Sequence, residues 1–441
     1  MTDPYPIRPI NNDEYDAFRR VQGHAFNSGP ASGVRAERGI RQFEIERSLA
    51  AFDPAAPAGT AVIGTAGIFS FRMTVPGAVL PVAGVTMVSV LPTYRRRGVL
   101  RSLMRRQLAD IAARGEEPVA ALWASETPIY GRYGYGRATE LAHFQFGRDE
   151  GALDAWAPVD PALTLRLTEP AGAASELAKV YDSVLPGQPG FYARDDDWWG
   201  RLLHDDAQER PGADPLRCLV AEDASGIRGY AIYVTTQRWD DAAGLPDCAI
   251  SIRELLATDP AAGGALWHNL LTRDLVTEVT AGLRTPSDPL LFQLLDQRRA
   301  RMRVSDGIWV RIVDLPAALT RRAYSCPVDV VLEVTDEILP GNAGRWRLTV
   351  VGGPGGAGGA GGAGGAGGVG GAGPGGVSCV PSTDRADLAL GIRELGSVYL
   401  GGTRLGQLAA AGLVTEHQRG AVAALSTAMS WDPAPWCAQI F

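Results

Sequence analysis

The run from Val88 to Arg101 constrains the fold of this chain more than any other segment. Val85 to Val90 is apolar and β-branched, as a buried strand is, and Pro92 ends its ladder by removing a donor. Leu100, Leu103, Met104, Leu108 and Ile111 then recur at near-helical spacing, so a helix is expected from Gly98 to Arg114, with Gly115 as its stop. Between strand and helix stand Arg95, Arg96, Arg97 and Gly98. The first amides of a helix have no internal partners, and the helix dipole favours negative charge there. Gly98 lets the backbone approach an anion closely, and the arginines supply forked donors for phosphate oxygens. The combination is a diphosphate cradle. Its plainer alternative is a solvated basic helix start behind a buried strand.

At 441 residues the chain exceeds one ordinary core, and two to four domains are expected. With 46% hydrophobic and 21% charged residues it reads as globular and soluble, not disordered. No stretch approaches the ~20 unbroken apolar residues that span a bilayer, so no membrane partner is expected. The residues after Met1 lack a basic region followed by an apolar one, so no secretory leader is expected either. A net charge of -7 argues against a nucleic-acid partner and is compatible with a cationic substrate. Cys218, Cys248, Cys326, Cys379 and Cys437 are odd in number and never spaced C-x-x-C, and the histidines form no H-E-x-x-H pair. Neither a disulfide framework nor a metal site is expected, and a reducing, cytoplasmic setting fits.

Three sections emerge along the chain. The first, residues 1–150, opens with a short strand around Tyr5 to Arg8 and a helix that Asn11 or Asn12 caps. Strands follow at Ala61 to Val75, Val79 to Val90 and, after the helix, Val119 to Ala124, an α/β pattern of mixed α+β pairing. The second section, 151–304, repeats the theme with strands at Tyr230 to Thr235 and Ala249 to Leu256 and a helix at Gly263 to Val276. Its turn, Ala257 to Gly264, has glycines but no arginines, as a degenerate copy would. The third, 305–441, has strands at Trp309 to Val313, Val328 to Val334 and Arg345 to Val351, and helices at Leu405 to Ala411 and Glu416 to Met429. A Gly-Gly-Ala run at 352–376 lacks the proline of a collagen repeat and reads as a flexible spacer in an expanded hairpin.

The cradle resembles the coenzyme A turn of the GCN5-related N-acetyltransferases, Gln/Arg-x-x-Gly-x-Gly/Ala, which Arg95 to Leu100 matches except at its last, ordinarily small, position. The enhanced intracellular survival (Eis) branch of that family carries a near-identical run with leucine there. Pro118 to Glu126, Ile129 to Gly136, Asp306 to Ile312 and Leu395 to Gly402 also look like that branch, so the resemblance spans the whole chain. It implies two tandem GCN5-related acetyltransferase-like domains, the second degenerate, and a C-terminal sterol-carrier-protein-like domain. It also implies acetyl-coenzyme A as co-substrate and assembly as a homo-hexamer.

Transfer of an acetyl group from a thioester to an amine needs a neutral amine, a stabilised oxyanion and a proton for the departing thiolate. The resemblance assigns the donor's pantetheine arm to Val88, Ser89 and Val90. It assigns the pyrophosphate to Arg95, Arg96, Arg97, Gly98, Val99, Leu100 and Arg101, with further contacts from Ser125 and Glu126. It makes Tyr130 the general acid, a phenol of pKa ~10 against a thiolate of similar basicity. The alternative for Tyr130 is an aromatic packed beside Tyr133 and Tyr135. The general base implied is the terminal carboxylate, here that of Phe441. The ending Ala434 to Phe441 is apolar where frayed tails are polar, so docking is expected, and burial would raise the basicity of a carboxylate of intrinsic pKa ~3.5.

The expected activity is therefore N-acetylation of a polycationic acceptor, aminoglycoside-like or a lysine. The competing reading is a non-catalytic acyl-coenzyme A-binding regulatory protein. A phosphate-loop nucleotidase is set aside because G-x-x-x-x-G-K-S/T is absent. Acceptor-pocket candidates are the first helix and the segment around His24 to Phe43, with Glu37, Glu44 and Glu46 as acidic groups that a cation would meet or that simply face solvent.

Overall fold

Asn11 opens the first helix. Its side chain accepts from the Glu14 amide while the Glu14 carboxylate accepts from the Asn11 amide, and helix α1, Tyr15–Phe26, follows. The structure, a computed structural model, describes residues 4–29, 42–57, 59–207, 210, 212–240, 242–352 and 376–441. Glu37 and nearly all of the Gly-Gly-Ala run lie outside the described residues. The chain divides into two compact units, one of Met1–Thr139, Ile308–Asp432 and Phe441, the other of Glu140–Gly307 and Pro433–Ile440.

The first unit holds a seven-stranded sheet of order β1-β2-β3-β4-β5-β16-β6. Its strands are β1 Ile7–Pro9, β2 Leu49–Phe52, β3 Val62–Val75, β4 Ala78–Val90, β5 Val119–Trp123, β6 Gly136–Arg137 and β16 Ile308–Ile312. Strands β3 and β4 form a long antiparallel hairpin through Gly77, whose φ of 71° suits a glycine in the turn. Strand β5 returns parallel to β4 after helix α2, Val99–Arg114. Met104, Leu108 and Ile111 of α2 bury one face of the sheet with Ile68, Ala83, Val85, Ala120 and Leu122. The strand expected at Trp309 to Val313 does not open the third section. Trp309 pairs with Leu122, so β16 completes the first sheet, antiparallel between β5 and β6.

The second unit holds a seven-stranded sheet of order β15-β7-β14-β13-β10-β9-β8. These strands are β7 Glu140–Gly147, β8 Thr164–Thr168, β9 Arg217–Asp223, β10 Gly226–Thr236, β13 Cys248–Ala257, β14 Val276–Arg284 and β15 Arg303–Asp306, with a separate ribbon of β11 Trp239–Asp240 and β12 Leu245–Pro246. Strand β7 lies before residue 150, yet it pairs with β14 and β15. Only β13 and β14 are parallel, with helix α3, Pro260–Leu271, between them, repeating the arrangement of β4, α2 and β5. The helix therefore ends earlier than the expected Val276, which starts β14 instead. The tail from Pro433 to Ile440 packs in this unit, with Trp436 edge-on to Phe191 at 5.0 Å and its amide bonded to the Pro189 carbonyl.

The third section forms a five-stranded sheet of order β19-β18-β17-β20-β21 in the first unit. Its strands are β17 Val328–Thr335, β18 Gly344–Val350, β19 Val377–Pro381, β20 Leu388–Gly391 and β21 Val414–Glu416. The helix expected from Glu416 shortens to α5, Ala421–Met429. A helix that the periodicity did not suggest, α4, Ile392–Val398, packs on β6 and β16. A Cβ on Gly136 would stand 2.1 Å from the Arg393 carbonyl oxygen, and one on Gly396 2.4 Å from that of Val310. Two glycines from separate sequence motifs thus permit a close backbone contact, against Arg393 and against Val310 of a third motif. Arg311 is fully buried, its Nη2 donating to both carboxylate oxygens of Asp336 at 2.7 Å and its Nη1 to the Ile312 carbonyl at 2.8 Å.

Burial pushes the hydroxyls of Tyr135, Tyr324 and Tyr399 in the first unit, and Tyr181, Tyr192 and Tyr230 in the second, well above the usual phenol range. A phenol whose folded pKa exceeds the unfolded ~10 contributes its full stability below pH ~10 and loses it as pH rises through the folded value. Alkaline titration followed at the tyrosinate absorbance is expected to leave these six of the 12 tyrosines silent until circular dichroism shows unfolding. Smooth ionisation of all of them near pH ~10 with the fold intact would contradict this.

Candidate active site

Strand β4 pairs with β5 only as far as Val85 and Leu122. Beyond that point Val88, Ser89 and Val90 keep β3 on one side and, among the described residues, have no strand partner on the other, so their backbone groups line an open fork. A bulge produces the opening. Thr65 faces Ser89 and Gly67 faces Thr86, so Met87 and Val88 together oppose Ala66, and Met87 takes a left-handed φ of 54°. Thr65 pins the bulge, its Oγ1 donating to the Met87 carbonyl at 2.8 Å and lying 2.6 Å from Ser89 Oγ.

The arginine turn follows directly. Arg96 and Gly98 adopt left-handed φ values of 63° and 85°, and Gly98 caps α2 with no side-chain hydrogen bond to its amides. Those amides are available to an anion. The arginines are not equivalent. All of Arg95, Arg96, Arg97 and Arg101 are exposed, but Arg97 also lies 4.9 Å over the Tyr94 ring and donates to the Tyr5 hydroxyl at 3.4 Å. Tyr94 in turn donates to Asp53 at 2.7 Å, so Arg97 braces the turn. Val99 is buried with Leu49 and Ile63, and Leu100 packs against the cluster under α2. The bulk at the ordinarily small last position is absorbed by the core.

The equivalent features of the second unit are closed. The amides of Ala261 and Ala262 at the start of α3 both bond Asp259 at 3.0 Å, and Asp259 is paired with Arg228 at 2.9 Å. A carboxylate already sits where a phosphate would bind. The ladder between β13 and β14 ends at Ile252 and Ala281, and beyond it the Arg284 guanidinium donates to the Leu255 carbonyl.

Tyr130, at the end of the short helix Thr127–Tyr130, is 5% exposed and belongs to the cluster under α2 with Val85 and Leu122. Its ring is edge-on to Tyr135, centroids 6.2 Å apart. Burial raises its pKa above the usual phenol value, opposed by a hydrogen bond with the exposed Ser125, while the exposed Glu126 raises it further. Phe441 lies across the sheet. Its ring meets Phe71 edge-on at 4.9 Å, and a Cβ on Gly84 would be 3.3 Å from it and 2.3 Å from the Phe71 ring. Gly84 and Val85 are neighbours in β4 with opposite faces. Tyr130 and Phe441 are thus set on the two faces of the sheet just before the fork.

On the Phe441 face, two residues beyond Gly84, Thr86 joins Met87 and α1 in lining a cleft of about 1010 Å³. Tyr15, Arg19, Gln22 and His24 stand on its helical wall. The first helix was a candidate wall, but two of the expected acidic groups are elsewhere. Glu44 accepts from the amide and hydroxyl of Ser70, and Glu46 lines a separate pocket of about 210 Å³. The bulge at Met87 went unread because an apolar β-branched run carries no sign of its own register. Among the described residues no cluster of His, Cys, Asp or Glu could hold a metal ion, and no helix is long and apolar enough to cross a membrane.

Acetyltransferase (GNAT) domains match residues 6–138 and 190–312, and a Sterol carrier protein domain matches 315–438. The chain is 40% identical over 432 residues to an uncharacterized N-acetyltransferase of Streptomyces coelicolor, covering 97% of this chain and 98% of that one. It is 35% identical over 370 residues to N-acetyltransferase Eis of Mycobacterium tuberculosis, covering 81% of this chain and 80% of the relative. The crystal structure of Eis1 from Mycobacterium abscessus matches with a TM-score of 0.77 and 32% identity, over 99% of this chain and 100% of that chain.

Proposed function

We propose a direct-transfer mechanism for this chain, which belongs to the Eis family of GCN5-related N-acetyltransferases and is an acetyltransferase. Acetyl-coenzyme A, the co-substrate of such domains, supplies the activated acyl group. Val88, Ser89 and Val90 offer it a free strand edge, and the uncapped start of α2 with Arg95, Arg96 and Arg101 holds its pyrophosphate. Arg97, Val99 and Leu100 shape that turn, and Ser125 and Glu126 flank the donor beyond β5. Tyr130, on the α2 side, protonates the leaving thiolate, while the carboxylate borne by Phe441, on the cleft side, takes the proton of the attacking amine. The reading is supported by one arrangement: Tyr130 and Phe441 meet β4 on opposite faces at Val85 and Gly84, just before a fork that leads into an uncapped helix N-terminus.

Release of free coenzyme A in the presence of several amines tests this. Turnover with at least one primary amine is expected, and acetyl-coenzyme A binding without turnover of any amine would sink the catalytic reading. Gly84→Ala adds a second test. The new Cβ would drive into Phe71, on which Phe441 packs, at a cost of about 1–3 kcal/mol. A folded variant with lower kcat and nearly unchanged KM for acetyl-coenzyme A is expected; unaltered turnover would detach the Phe441 ring from catalysis.

The resemblance extends the reading to a polycationic acceptor, aminoglycoside-like or a lysine, and to a homo-hexamer in the cytoplasm. The acidic net charge of -7 is compatible with such an acceptor. Sedimentation and an acceptor panel test these expectations.

A further inference from the structure

The fork of the second unit is filled from within. Past the last pair of the β13–β14 ladder, the Arg284 guanidinium lies between two indoles, 5.6 Å from the Trp267 ring of α3 and 5.2 Å from the Trp436 ring of the tail. Asp288 meets its charge, accepting from Nε at 2.8 Å. The two indoles belong to opposite faces of the sheet. Trp267 clusters with Leu219 and Ala231, whereas Trp436 and Ala438 cluster with their strand neighbours Val220 and Ile232. The tail thus covers the side of this fork that faces away from α3.

The segment from Gln188 to Tyr192 then holds the tail by its backbone. Gln188 Nε2 donates to the Ala434 carbonyl at 2.8 Å, the Trp436 amide donates to the Pro189 carbonyl at 3.1 Å, and the buried Tyr192 hydroxyl donates to the Gln439 carbonyl at 3.1 Å. Between these contacts Gly190 takes a left-handed φ of 95°, and a Cβ there would stand 2.4 Å from the Trp436 carbonyl oxygen. Packing alone would need only the indole. Bonds to the backbone at Ala434, Trp436 and Gln439 also set the register of the tail, and the last of them is two residues from Phe441. Resting on the reading of the terminal carboxylate as general base, we propose that the second unit is the positioning site for that base. Its closed fork takes no donor and instead holds the chain's own terminal segment in one register. Gly190 and Tyr192 act as positioning residues and touch no reacting atom. A base must lie within hydrogen-bond reach of the proton it takes, so a displacement of about 1 Å at the chain end lowers rate far more than stability.

A double-mutant cycle on the full chain tests this. Tyr192→Phe removes one hydroxyl from the core and leaves its ring in place, and kcat is expected to fall roughly threefold to tenfold with KM for acetyl-coenzyme A unchanged. Gly190→Ala pushes on the Trp436 carbonyl and is expected to lower kcat by roughly tenfold or more. Each substitution is repeated in the chain lacking Phe441. There it should lower the residual kcat no further, because the group it positions is gone, while the fall in Tm it causes should be the same in both backgrounds. Cys437, buried within the tail, supplies a readout that needs no turnover. Its alkylation by iodoacetamide, mapped by mass spectrometry, should be several-fold faster in both variants, since reaction requires local opening of the tail. An equal fall in kcat with and without Phe441 would mean that the two residues act through general stability, and would overturn the positioning role while leaving the transfer reading intact. Unchanged kcat in both variants, or unchanged alkylation, would overturn it in the same way. Full turnover by the chain lacking Phe441 is the separate outcome that removes the terminal base, and this role with it.

Discussion

A chain lacking Phe441 is expected to bind acetyl-coenzyme A normally and to acetylate roughly a hundredfold more slowly or worse, the range in which a positioned general base acts. Deletion removes both a ring and the carboxylate it carries, and two further variants separate them. One glycine added after Phe441 keeps the ring on Phe71 but moves the carboxylate one residue away. Phe441→Ala keeps a carboxylate at the same position but loses the ring that docks it against Gly84 and Phe71. The extended chain should be as defective as the deletion, and Phe441→Ala should be intermediate. The fold should survive all three, because the preceding tail is anchored separately through Trp436 and the Pro189 carbonyl. Losing the buried Phe441 ring costs about 1.5–3 kcal/mol, a measurable but sublethal drop in Tm. An extended chain with full activity would remove the carboxylate from the mechanism.

Tyr130→Phe is the second large effect, and it is expected to lower kcat by roughly 100-fold or more with little change in KM for acetyl-coenzyme A. The ring stays in its cluster, so the loss is that of one hydroxyl and its bond with Ser125, about 1 kcal/mol in stability. The pH dependence carries a sign. A general acid works while protonated, and burial has raised the pKa of Tyr130 above the phenol range. Its proton is therefore retained through neutral pH and lost only above pH ~10. The defect of the variant should accordingly be constant from pH ~6 to ~9, with no limb of wild-type kcat in that window due to Tyr130. A defect confined to donor KM, or one that vanishes within that window, would mark Tyr130 as packing alone.

Local features of this site were legible in the sequence. The strand, the Arg95 to Gly98 turn and the helix from Val99 are contiguous, and each follows from neighbours a few residues apart. The degenerate second turn was legible as missing arginines, but its closure by Asp259 and Arg284 was not, since the Arg284 contact reaches back 29 residues to the Leu255 carbonyl. The motif glycines at Gly136 and Gly396 read as family marks in the sequence. The close contact of α4 with β6 and β16 supplies their reason. Strands β7 and β16 were placed by chain order, whereas pairing places β7 in the second sheet and β16 in the first.

The sequence by itself determined the strand, turn and helix start of the candidate donor site, because strand periodicity, a proline stop, a glycine at a helix start and clustered arginines are short-range signals. Tertiary structure alone decided the rest. It set the bulge at Met87 through the register of β3 on β4 and laid Phe441 against Gly84. Register, docking and the pairing of charges depend on which distant segments meet, and periodicity along one segment is blind to its partner.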